Sequence, residues 1–488
     1  MRAARTVPLI RLEPLGETIA AAAGSPLRDV LFAYGVEFPC GGESRCKRCR
    51  VRILEGGLAD SQSAAILTAR EYAAGWRLAC RGCLAGDITL EIGQWEASIL
   101  SDDRTFLFTP RRGLGIAIDL GTTTLVAQLV DLQTASVLGV RTALNPQARH
   151  GADVMTRIQF ALSAFGREEM RRLIREELGR MVSELAAGHG VPSVVTIAGN
   201  TVMQHLFCGY DVTPLSYAPF EPVEMEAAGL SDWGTAVKFL PNLGGFVGSD
   251  ILAGIVATQM HKSQDLVALV DLGTNGEIVL GNRDGMICTS TAVGPAFEGG
   301  RISCGMRAAT GAISSVVLEA GEVRCRVLGG GSARGICGSG LVDAVACGLD
   351  QGVIQSNGRT GGLIALRDGL QLTQGDVRQV QLAKGAIAGG MRVLLRRFGA
   401  EAGDVTALYL AGAFGNYINV ASARRIGLLE FEDDIIRPAG NTALLGAKRA
   451  LFDDDYRELR ERTAHVPLGA DPDFQEEYVG AMTFPVQA

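Results

Sequence analysis

The feature that most constrains the fold of this chain is a short motif that occurs twice. Residues 115–124 read GIAIDLGTTT, and residues 267–276 read VALVDLGTNG. Each copy is an apolar, largely β-branched run followed by Asp-Leu-Gly-Thr, which predicts a buried strand, a tight glycine turn and a second strand. Two copies, with their aspartates about 150 residues apart, predict two similar half-domains that each contribute one loop.

Loops of this kind are suited to binding phosphate. Backbone N–H groups and threonine hydroxyls in such a turn can donate to phosphate oxygens, and an aspartate at the end of a buried strand can hold the accompanying Mg²⁺. A pair of unrelated glycine hairpins is the alternative, but the repeated core favours a nucleotide cleft. The predicted cleft residues are Asp119, Gly121, Thr122, Thr123, Thr124, Asp271, Gly273, Thr274 and Asn275.

A third segment completes this pattern. Residues 407–417 read ALYLAGAFGNY, a buried strand ending in small residues, and Gly412 and Gly415 would allow the backbone to approach a flat ligand such as adenosine. Two phosphate loops followed by an adenosine loop, over residues 113–450, resemble the superfamily of acetate and sugar kinases, Hsp70 and actin.

The N-terminal part of the chain carries a cysteine pattern of a different kind. Cys40, Cys46 and Cys49 lie in one glycine-rich loop, and Cys80 follows 31 positions after Cys49. The spacing is similar to that of plant-type ferredoxins, with one more residue between the first two cysteines, and it predicts a 2Fe–2S cluster. Strands at 6–12, 15–20, 50–54 and 87–92 and a short helix after Ser25 would be typical of a ferredoxin β-grasp domain.

Zinc or free thiols are the alternatives for these cysteines. Cys46 and Cys49 could pair with Cys80 and Cys83 as two C-x2-C units, which would leave Cys40 unused. The ferredoxin-like order of elements favours the iron–sulfur cluster. The sequence R-L-A-C resembles the usual context of the fourth ferredoxin ligand, and so Cys80 is preferred to Cys83.

Composition narrows the class of protein. The chain has 488 residues, of which 47% are hydrophobic and 20% charged, typical of a globular protein with two or three domains. A net charge of −7 argues against nucleic acid as a partner. No apolar run is long enough to span a membrane, and Pro8, Glu13, Pro14 and Glu17 interrupt the N-terminal apolar stretch, so we expect no signal peptide. Eleven cysteines are then expected as metal ligands or reduced thiols.

The predicted fold is α/β plus α+β. Residues 1–94 form a β-grasp 2Fe–2S ferredoxin-type domain, residues 95–112 a linker, and residues 113–488 a two-lobed ATPase domain of the actin, Hsp70 and sugar-kinase (ribonuclease H-like) type, with lobes at roughly 113–260 and 261–488. A linker of about 20 residues could span up to ~65 Å. Within the ATPase domain, Ser249 and Asp250 are interpreted as helix caps, and Lys384 as a solvent-facing helical residue.

The two halves together resemble the ATP-dependent reductive activators of corrinoid proteins. The resemblance rests on the four cysteines and on DLGTTT at 119, GGFVGSDI at 244, DLGTNGE at 271 and LAGAFGNYIN at 410. It implies that the chain hydrolyses ATP, with Asp119 and Asp271 holding Mg²⁺ and positioning water. It also implies transfer of one electron from the 2Fe–2S cluster to cob(II)amide, which restores cob(I)amide.

The same resemblance implies partners. These are a corrinoid protein or corrinoid methyltransferase and an upstream electron donor (a reductase or a ferredoxin), with a homodimer allowed, no membrane and a cytoplasmic location. Longer members of the family carry an extra domain between linker and ATPase part, whereas here Gly113 follows the linker directly.

Three other functions remain open from the sequence. An activase for a dehydratase or radical enzyme uses the same ATPase fold, but usually places its cluster at a dimer interface with fewer cysteines. A metabolite kinase with a regulatory ferredoxin would respond to a small molecule rather than to a corrinoid protein. An Hsp70-like binding module would need a peptide-binding domain after the ATPase part.

Overall fold

The computed structural model of the protein describes residues 7–13, 17–31, 36, 49–60, 62–92, 106–151, 153–453 and 456–486. Strands in these residues form one five-stranded sheet, two six-stranded sheets and two small sheets. The five-stranded sheet belongs to the N-terminal part, and the two six-stranded sheets each contain one copy of the DLGT motif.

The N-terminal sheet is a mixed sheet with the strand order β2-β1-β5-β3-β4. Strands β1 and β5 are parallel and the other pairs are antiparallel. Alternate residues such as Ile10, Leu12 and Leu90 are fully buried in one core with Leu27 and Leu31 of the short helix, so the sheet grasps that helix. The elements are β1 (Leu9–Glu13), β2 (Glu17–Ala20), α1 (Leu27–Leu31), β3 (Arg50–Asp60), α2 (Ser63–Ile66), α3 (Ala69–Ala73), β4 (Trp76–Leu78) and β5 (Gly82–Ile92).

This sheet confirms the predicted β-grasp fold, but two of its strands are longer than expected. The predicted strands 50–54 and 87–92 are the ends of β3 and β5, which each have 11 residues. The register of the β3–β5 pair shifts between Ile53 and Glu55 and again between Gly56 and Leu58. Gly56 has a φ of +82°, and a Cβ there would lie 2.4 Å from the carbonyl oxygen of Asp87. Gly56, two residues beyond the predicted strand 50–54, therefore forms a bulge within a continuous strand.

The first lobe contains the sheet β10-β11-β9-β6-β7-β8. Its DLGT strand, β6, is antiparallel to β7 and parallel to β9, which places it at the centre of the sheet. The elements of this lobe are β6 (Leu114–Leu120), β7 (Thr124–Asp131), β8 (Val137–Leu144), α4 (Val154–Ala161), α5 (Ala164–Ala186), β9 (Val194–Gly199), α6 (Thr201–Cys208), β10 (Ala228–Asp232), β11 (Thr235–Phe239) and α7 (Ser249–Thr258), with 3-10 turns at Pro146–Arg149, Thr213–Ser216 and Met260–Lys262.

The second lobe repeats this plan in the sheet β21-β20-β12-β13-β14-β22. Its DLGT strand, β12, is antiparallel to β13 and parallel to β20. The elements are β12 (Val267–Leu272), β13 (Gly276–Asn282), β14 (Gly285–Thr291), β15 (Ala312–Glu319), β16 (Glu322–Val327), β17 (Gly335–Ile336), α8 (Gly338–Asp350), β18 (Ile364–Ala365), β19 (Gln371–Leu372), α9 (Gln374–Phe398), β20 (Ala407–Ala411), α10 (Gly412–Tyr417), α11 (Val420–Arg425), β21 (Ile436–Gly440), α12 (Thr442–Arg449), α13 (Arg457–Glu461), β22 (Thr463–His465) and α14 (Phe474–Ala481), with 3-10 turns at Pro295–Glu298, Arg367–Gly369, Ala402–Asp404, Asp433–Ile435 and Leu468–Ala470.

Helices α7 and α12 form the layer between the two sheets. One buried cluster joins Ala117 of the first sheet, Leu269 of the second, and Ile251 and Leu444 of these two helices. The outer faces of the sheets are covered by α4, α5 and α6 on one side and by α8 and α9 on the other. Because the central strands are buried on both faces, their sequences are continuous apolar runs, as is typical of parallel neighbours.

The C-terminal part of the predicted linker is bound to the ATPase domain. The rings of Phe106 and Phe108 lie 5.6 and 4.8 Å from that of Phe452, between centroids. The backbone N–H of Arg111 donates to the carbonyl of Leu132 at 2.9 Å. Residues 93–105 lie outside the described residues, so the structure shows attachment only for 106–112.

The expectation for Lys384 was wrong. This lysine is 1% exposed on α9, and its Nζ donates to the carbonyl of Thr483 at 2.7 Å and lies over the ring of Phe484. Burial lowers the pKa of Lys384 to about 8. The C-terminal segment covers this face of α9, and helical periodicity alone could not show that covering. Among the described residues, no helix combines the length and the apolar character needed to cross a membrane.

Candidate active site

The two DLGT turns face a common cleft between the lobes, with a volume of about 330 Å³. Every residue predicted from the three loops lines this cleft except Gly415, which packs against Leu410 and Leu272 within the second lobe. The residues brought together are Asp119, Gly121, Thr122, Thr123, Thr124, Asp271, Gly273, Thr274, Asn275 and Gly412.

The first loop connects β6 to β7 and is held from both lobes. The side-chain amide of Asn441, which precedes α12, donates to Asp119 Oδ2 at 2.8 Å. The side chain of Asn145 donates to the carbonyl of Gly121 at 2.9 Å, and its backbone N–H donates to that of Thr123 at 2.9 Å. These bonds occupy carbonyl oxygens on one side of the turn, and the Thr122–Thr124 segment lines the cleft.

The second loop connects β12 to β13 and packs against the third. Gly412 has a φ of +80°, and a Cβ there would lie 2.6 Å from Asp271 Oδ1. Only glycine fits this approach, which explains why the strand β20 ends in small residues. The hydroxyl of Thr274 donates to Glu298 Oε1 at 2.5 Å, so the loop is also tied to the 3-10 turn Pro295–Glu298.

Five carboxyl groups line the cleft, those of Asp119, Asp250, Asp271, Glu277 and Glu298. Burial raises the pKa of Asp119 to about 6 and, together with the charge of Asp119, that of Asp271 to about 7. Burial, followed by the charge of Asp271, raises the pKa of Asp250 to about 8. Glu277, directly opposite Asp271 across the β12–β13 pair, has a pKa raised well above its usual range, first by burial.

This donor set fits Mg²⁺. The carboxylates and the neighbouring amide and hydroxyl groups are hard oxygen ligands, which Mg²⁺ prefers. The high pKa values reflect first the burial of these carboxyl groups and then, for Asp250, Asp271 and Glu277, the neighbouring negative charge; a divalent cation would offset both costs.

Asp250 is a cleft residue that sequence reasoning missed. The residue before α7 is Gly248, which makes no side-chain cap, and Asp250 Oδ1 accepts from the N–H of the next residue, Ile251, at 2.9 Å. Ser249 does not cap either: its hydroxyl bonds to both the N–H and the carbonyl of Gly199 at 3.0 Å and fixes the start of α7 to the end of β9. The helix-cap interpretation of both residues was therefore wrong.

Two asparagines of the cleft were also missed, although the sequence contains a signal for them. The tetrapeptide Ala-Gly-Asn-Thr occurs at 198–201 and again at 439–442. In both places the asparagine follows a strand and caps the next helix, through N–H bonds to Asn200 Oδ1 and Asn441 Oδ1. This second repeat would have indicated equivalent positions in the two lobes.

The side of the cleft near Gly412 has a flat aromatic wall. The rings of Phe297 and Phe414 stack at 4.6 Å, with 10° between their planes. A Cβ on Gly338, at the start of α8, would lie 2.0 Å from the carbonyl of Phe297, so glycine permits this close packing. The stacked wall beside Gly412 is compatible with a flat base.

Two of the four predicted cluster ligands can be placed. Cys49 is 2% exposed in the core of the β-grasp sheet, Cys80 packs against the same core, and the carbonyl of Cys49 accepts a bond from the N–H of Ala79 at 2.9 Å. The predicted ligands Cys40 and Cys46 lie outside the described residues. The other described cysteines are free thiols, namely Cys83, Cys208, Cys288, Cys304, Cys325, Cys337 and Cys347.

Cys80 and Cys83 lie differently with respect to the core of the ferredoxin sheet. Cys83 lies in β5 opposite Ala59, and its neighbour Leu84 points into the core with 1% exposure. Because successive strand residues face opposite sides of a sheet, Cys83 lies on the side away from the core that contains Cys49. This placement favours Cys80 as the partner of Cys49.

Comparison with known proteins assigns each part of the chain. Residues 10–84 match the 2Fe-2S iron-sulfur cluster binding domain, residues 114–263 match the RACo middle region, and residues 265–488 match the C-terminal domain of RACo, the ASKHA domain. The corrinoid activation enzyme RamQ of Eubacterium limosum is 30% identical, over 95% of this chain and 97% of that protein. The chain belongs to the RACo family of corrinoid activators.

Other members of the RACo family resemble the chain over most of its length. The Co(II) methylated amine-specific corrinoid protein reductase of Methanosarcina barkeri is 28% identical, over 76% of this chain and 77% of that protein. A solved structure of a reductive activator for a corrinoid, iron-sulfur protein has a TM-score of 0.68 and 26% identity, covering 98% of each chain. These matches confirm the ferredoxin-type domain and the ASKHA-type ATPase fold.

This chain lacks stretches that RamQ contains. The alignment with RamQ extends over 579 positions, whereas this chain has 488 residues. RamQ therefore contains stretches that have no counterpart here.

Proposed function

We propose that this protein is an ATP-dependent reductive activator of a corrinoid protein or corrinoid methyltransferase. It passes one electron from a 2Fe–2S cluster to cob(II)amide and thereby restores cob(I)amide. The observation that carries this proposal is the union, in one chain, of a ferredoxin sheet that brings Cys49 and Cys80 together and a cleft lined by both DLGT loops. The similarity to RamQ, a corrinoid activation enzyme, and to the M. barkeri corrinoid protein reductase supports it.

The redox step explains why ATP is needed. Plant-type clusters have potentials near −400 mV, and the reduction of cob(II)amide is, by family resemblance, still harder. Each ~59 mV uphill lowers the equilibrium constant of a one-electron transfer tenfold. Nucleotide bound between the lobes can change this balance only if the open and closed arrangements differ in their affinity for nucleotide and for the partner.

We assign the cleft residues as follows. Asp119 and Asp271 hold Mg²⁺ and orient the attacking water, and the loops at 121–124 and 273–275 donate to the phosphates. Gly412 leaves room for adenosine beside Phe414. Asp250 lies next to Asp271, on the side from which the water attacks. Mg²⁺ neutralises charge that develops on the phosphates. Gly415, in this assignment, supports the loop from behind rather than touching adenosine.

The ferredoxin domain is assigned four ligands, Cys40, Cys46, Cys49 and Cys80. The core position of Cys49 and Cys80 shields that side of the site from water, and shielding together with N–H donors sets the potential of such a site. The remaining parts of the proposal are the division into 1–94, 95–112 and 113–488, an upstream reductase or ferredoxin as donor, a homodimer, and a cytoplasmic location.

The stimulation of ATP hydrolysis tests this function against a metabolite kinase. Purified holoprotein is mixed with Mg-ATP, and phosphate release is measured with and without a candidate cob(II)amide protein. We expect the corrinoid protein to raise the rate, and a panel of sugars and short carboxylic acids to leave it unchanged. Formation of a phosphorylated metabolite, with no response to any corrinoid protein that binds the chain, would contradict the proposal.

A further inference from the structure

The ferredoxin domain rests on both lobes of the ATPase domain. On the first lobe, Leu144 and Ala148 pack against the core of the ferredoxin sheet. On the second lobe, the guanidinium of Arg334 donates from Nη2 to Glu91 Oε1 of β5. Glu91 is 14% exposed and also lies 3.5 Å from Arg52, so its carboxylate is held between two cations, one from each domain.

The contact on the first lobe surrounds the residue that fixes the first phosphate loop. Asn145 lies between Leu144 and Ala148 in the sequence and is fully buried. It donates hydrogen bonds to the carbonyls of Gly121 and Thr123, as described above. A shift of this segment relative to the sheet would therefore move the turn Gly121–Thr123. The positive charge of Arg28, on α1, also acts electrostatically on His150 at the end of the same segment.

The same segment is connected to the second phosphate loop. Arg157 is fully buried, and its guanidinium donates to the carbonyl of Gly151 at 2.9 Å and to Gln147 Oε1 at 3.4 Å. Its Nη2 has no hydrogen-bond partner among the described residues, and the negative charge of Glu298 acts on the guanidinium. Glu298 in turn accepts the hydrogen bond from Thr274, so the charge of Arg157 is coupled electrostatically to the second loop.

The contact on the second lobe is equally close to the cleft. The backbone N–H of Arg334 donates to the carbonyl of Gly311 at 2.8 Å, three residues beyond Ala308, which lines the cleft. A Cβ on Gly311 would lie 2.7 Å from the side chain of Arg334, so the two are tightly packed. The N–H of Met306 donates to the carbonyl of Ile336 at 2.9 Å and ties the same loop to β17.

We propose that Leu144, Ala148 and Arg334 form a docking surface for the protein's own ferredoxin domain, and that docking across both lobes stabilises the arrangement that binds nucleotide. The nucleotide cleft and the ferredoxin domain each bridge the same two lobes, and two ligands that bridge the same lobes favour the same relative placement of those lobes. We call these three residues the ferredoxin dock.

A direct consequence is reciprocal coupling. If docking tightens nucleotide binding by some factor, nucleotide must tighten docking by the same factor. The docked domain would then leave when the nucleotide is released, and the cluster would become free to change partners at that step. This inference rests on the proposed nucleotide cleft, but it concerns only this chain and does not depend on a corrinoid partner.

The test uses the full-length holoprotein and two surface arginines of the second lobe. Arg334→Gln removes the bond to Glu91, whereas Arg324→Gln changes an exposed arginine of β16 that lies 3.4 Å from Glu319 of the same small sheet. Binding of Mg-AMPPNP is measured by calorimetry. We expect Arg334→Gln to weaken binding by about 3- to 10-fold and Arg324→Gln to leave it unchanged.

Hydrogen exchange in the first lobe distinguishes docking from a local role of Arg334, because a role confined to the second lobe would not change the exchange rates of the first lobe. Arg334→Gln, in the second lobe, should speed exchange at residues 144–149 in the first lobe, because the ferredoxin domain covers both places. Ala148→Glu, which places a charge against the apolar ferredoxin core, should weaken nucleotide binding in the same direction. An intact cluster spectrum shows that the ferredoxin domain of each variant is folded, and an unchanged far-ultraviolet circular dichroism spectrum shows the same for the ATPase domain.

The outcomes separate this inference from the proposed function. If the wild-type protein binds no Mg-AMPPNP, the proposed function fails. If the wild type binds it, and Arg334→Gln leaves both the affinity and the exchange at 144–149 unchanged, the ferredoxin dock is wrong while the cleft stands. Weaker binding without faster exchange at 144–149 would likewise overturn the dock, because Arg334 would then act within its own lobe.

Discussion

At the scale of single residues, the carboxyl groups of the cleft determine what it can do. Asp271 lies at the end of β12, beside Gly412 and opposite Glu277. Asp271→Asn should lower ATP hydrolysis by about 100-fold or more, because the loss of the Mg²⁺ ligand removes charge stabilisation at the phosphates. The visible spectrum of the cluster should not change.

The matched control for this substitution is Asp284→Asn. Asp284 lies in the turn between β13 and β14 of the same sheet, and its side chain is 80% exposed. Its replacement should leave both ATP hydrolysis and the cluster spectrum unchanged. Wild-type ATP turnover in Asp271→Asn would contradict the role given to the second loop.

The same carboxyl groups make the metal-free protein sensitive to pH. The pKa of Asp250 is raised from 3.8 to about 8, so between these values the folded protein binds more protons than the unfolded chain. Stability therefore falls as pH rises through this window. Asp250→Asn should raise the free energy of unfolding at pH 8 by roughly 2 kcal/mol, a value reduced from the full shift for partial solvent access.

Thermal unfolding without Mg²⁺ at pH 5 and pH 8 measures this effect. The gap between Asp250→Asn and the wild type should be large at pH 8 and small at pH 5, where Asp250 is already protonated. Saturating Mg-ATP should close the gap by stabilising the wild type. An equal gap at both pH values would show that Asp250 is not a destabilising charge.

The cysteines provide the third residue-scale prediction. Cys49→Ser should abolish the visible absorption of a 2Fe–2S centre and its content of about two irons per chain, whereas Cys83→Ser should retain both. The reason is that Cys49 lies in the core with Cys80, and Cys83 lies on the other face of β5. Loss of iron in Cys83→Ser with retention in Cys80→Ser would reverse the ligand assignment.

At the scale of elements, the end of the linker is an attached segment rather than a free one. Phe108→Ala should loosen residues 106–112 at a cost of about 1–2 kcal/mol, because its ring packs on Phe452. Hydrogen exchange at the N–H of Arg111, which is bonded to Leu132, reports this change. Leu107→Ala, at a fully exposed neighbour, should have no effect. Equal exchange in both variants would contradict the anchoring role of Phe108.

Elements also show what the sequence could and could not predict. The strands β6 and β12 were predictable because a continuous apolar run and a glycine turn are local patterns. The contact of Asn441 with Asp119 was not, because it joins residues 322 positions apart in different lobes. The burial of Lys384 under the C-terminal segment and the packing of Phe106 on Phe452 likewise depend on contacts between residues that are far apart in the sequence.

At the scale of the whole molecule, the duplicated sheets place their DLGT turns on one cleft, and the ferredoxin domain contacts both lobes. Because residues 106–112 are attached to the ATPase domain, only residues 93–105 connect the two domains. A chain of 13 extended residues spans at most about 45 Å. Electron delivery to a partner is therefore expected close to the ATPase domain.

The most direct measurement of the account mixes the reduced holoprotein, a corrinoid protein shown to bind it, and Mg-ATP under anaerobic conditions. The absorption of the cobalt centre is followed with time. Cob(I)amide should accumulate with ATP in the wild type and barely form without ATP or in Asp271→Asn. An equal yield of cob(I)amide with and without ATP would contradict the account, because the cleft would then have no part in the electron transfer.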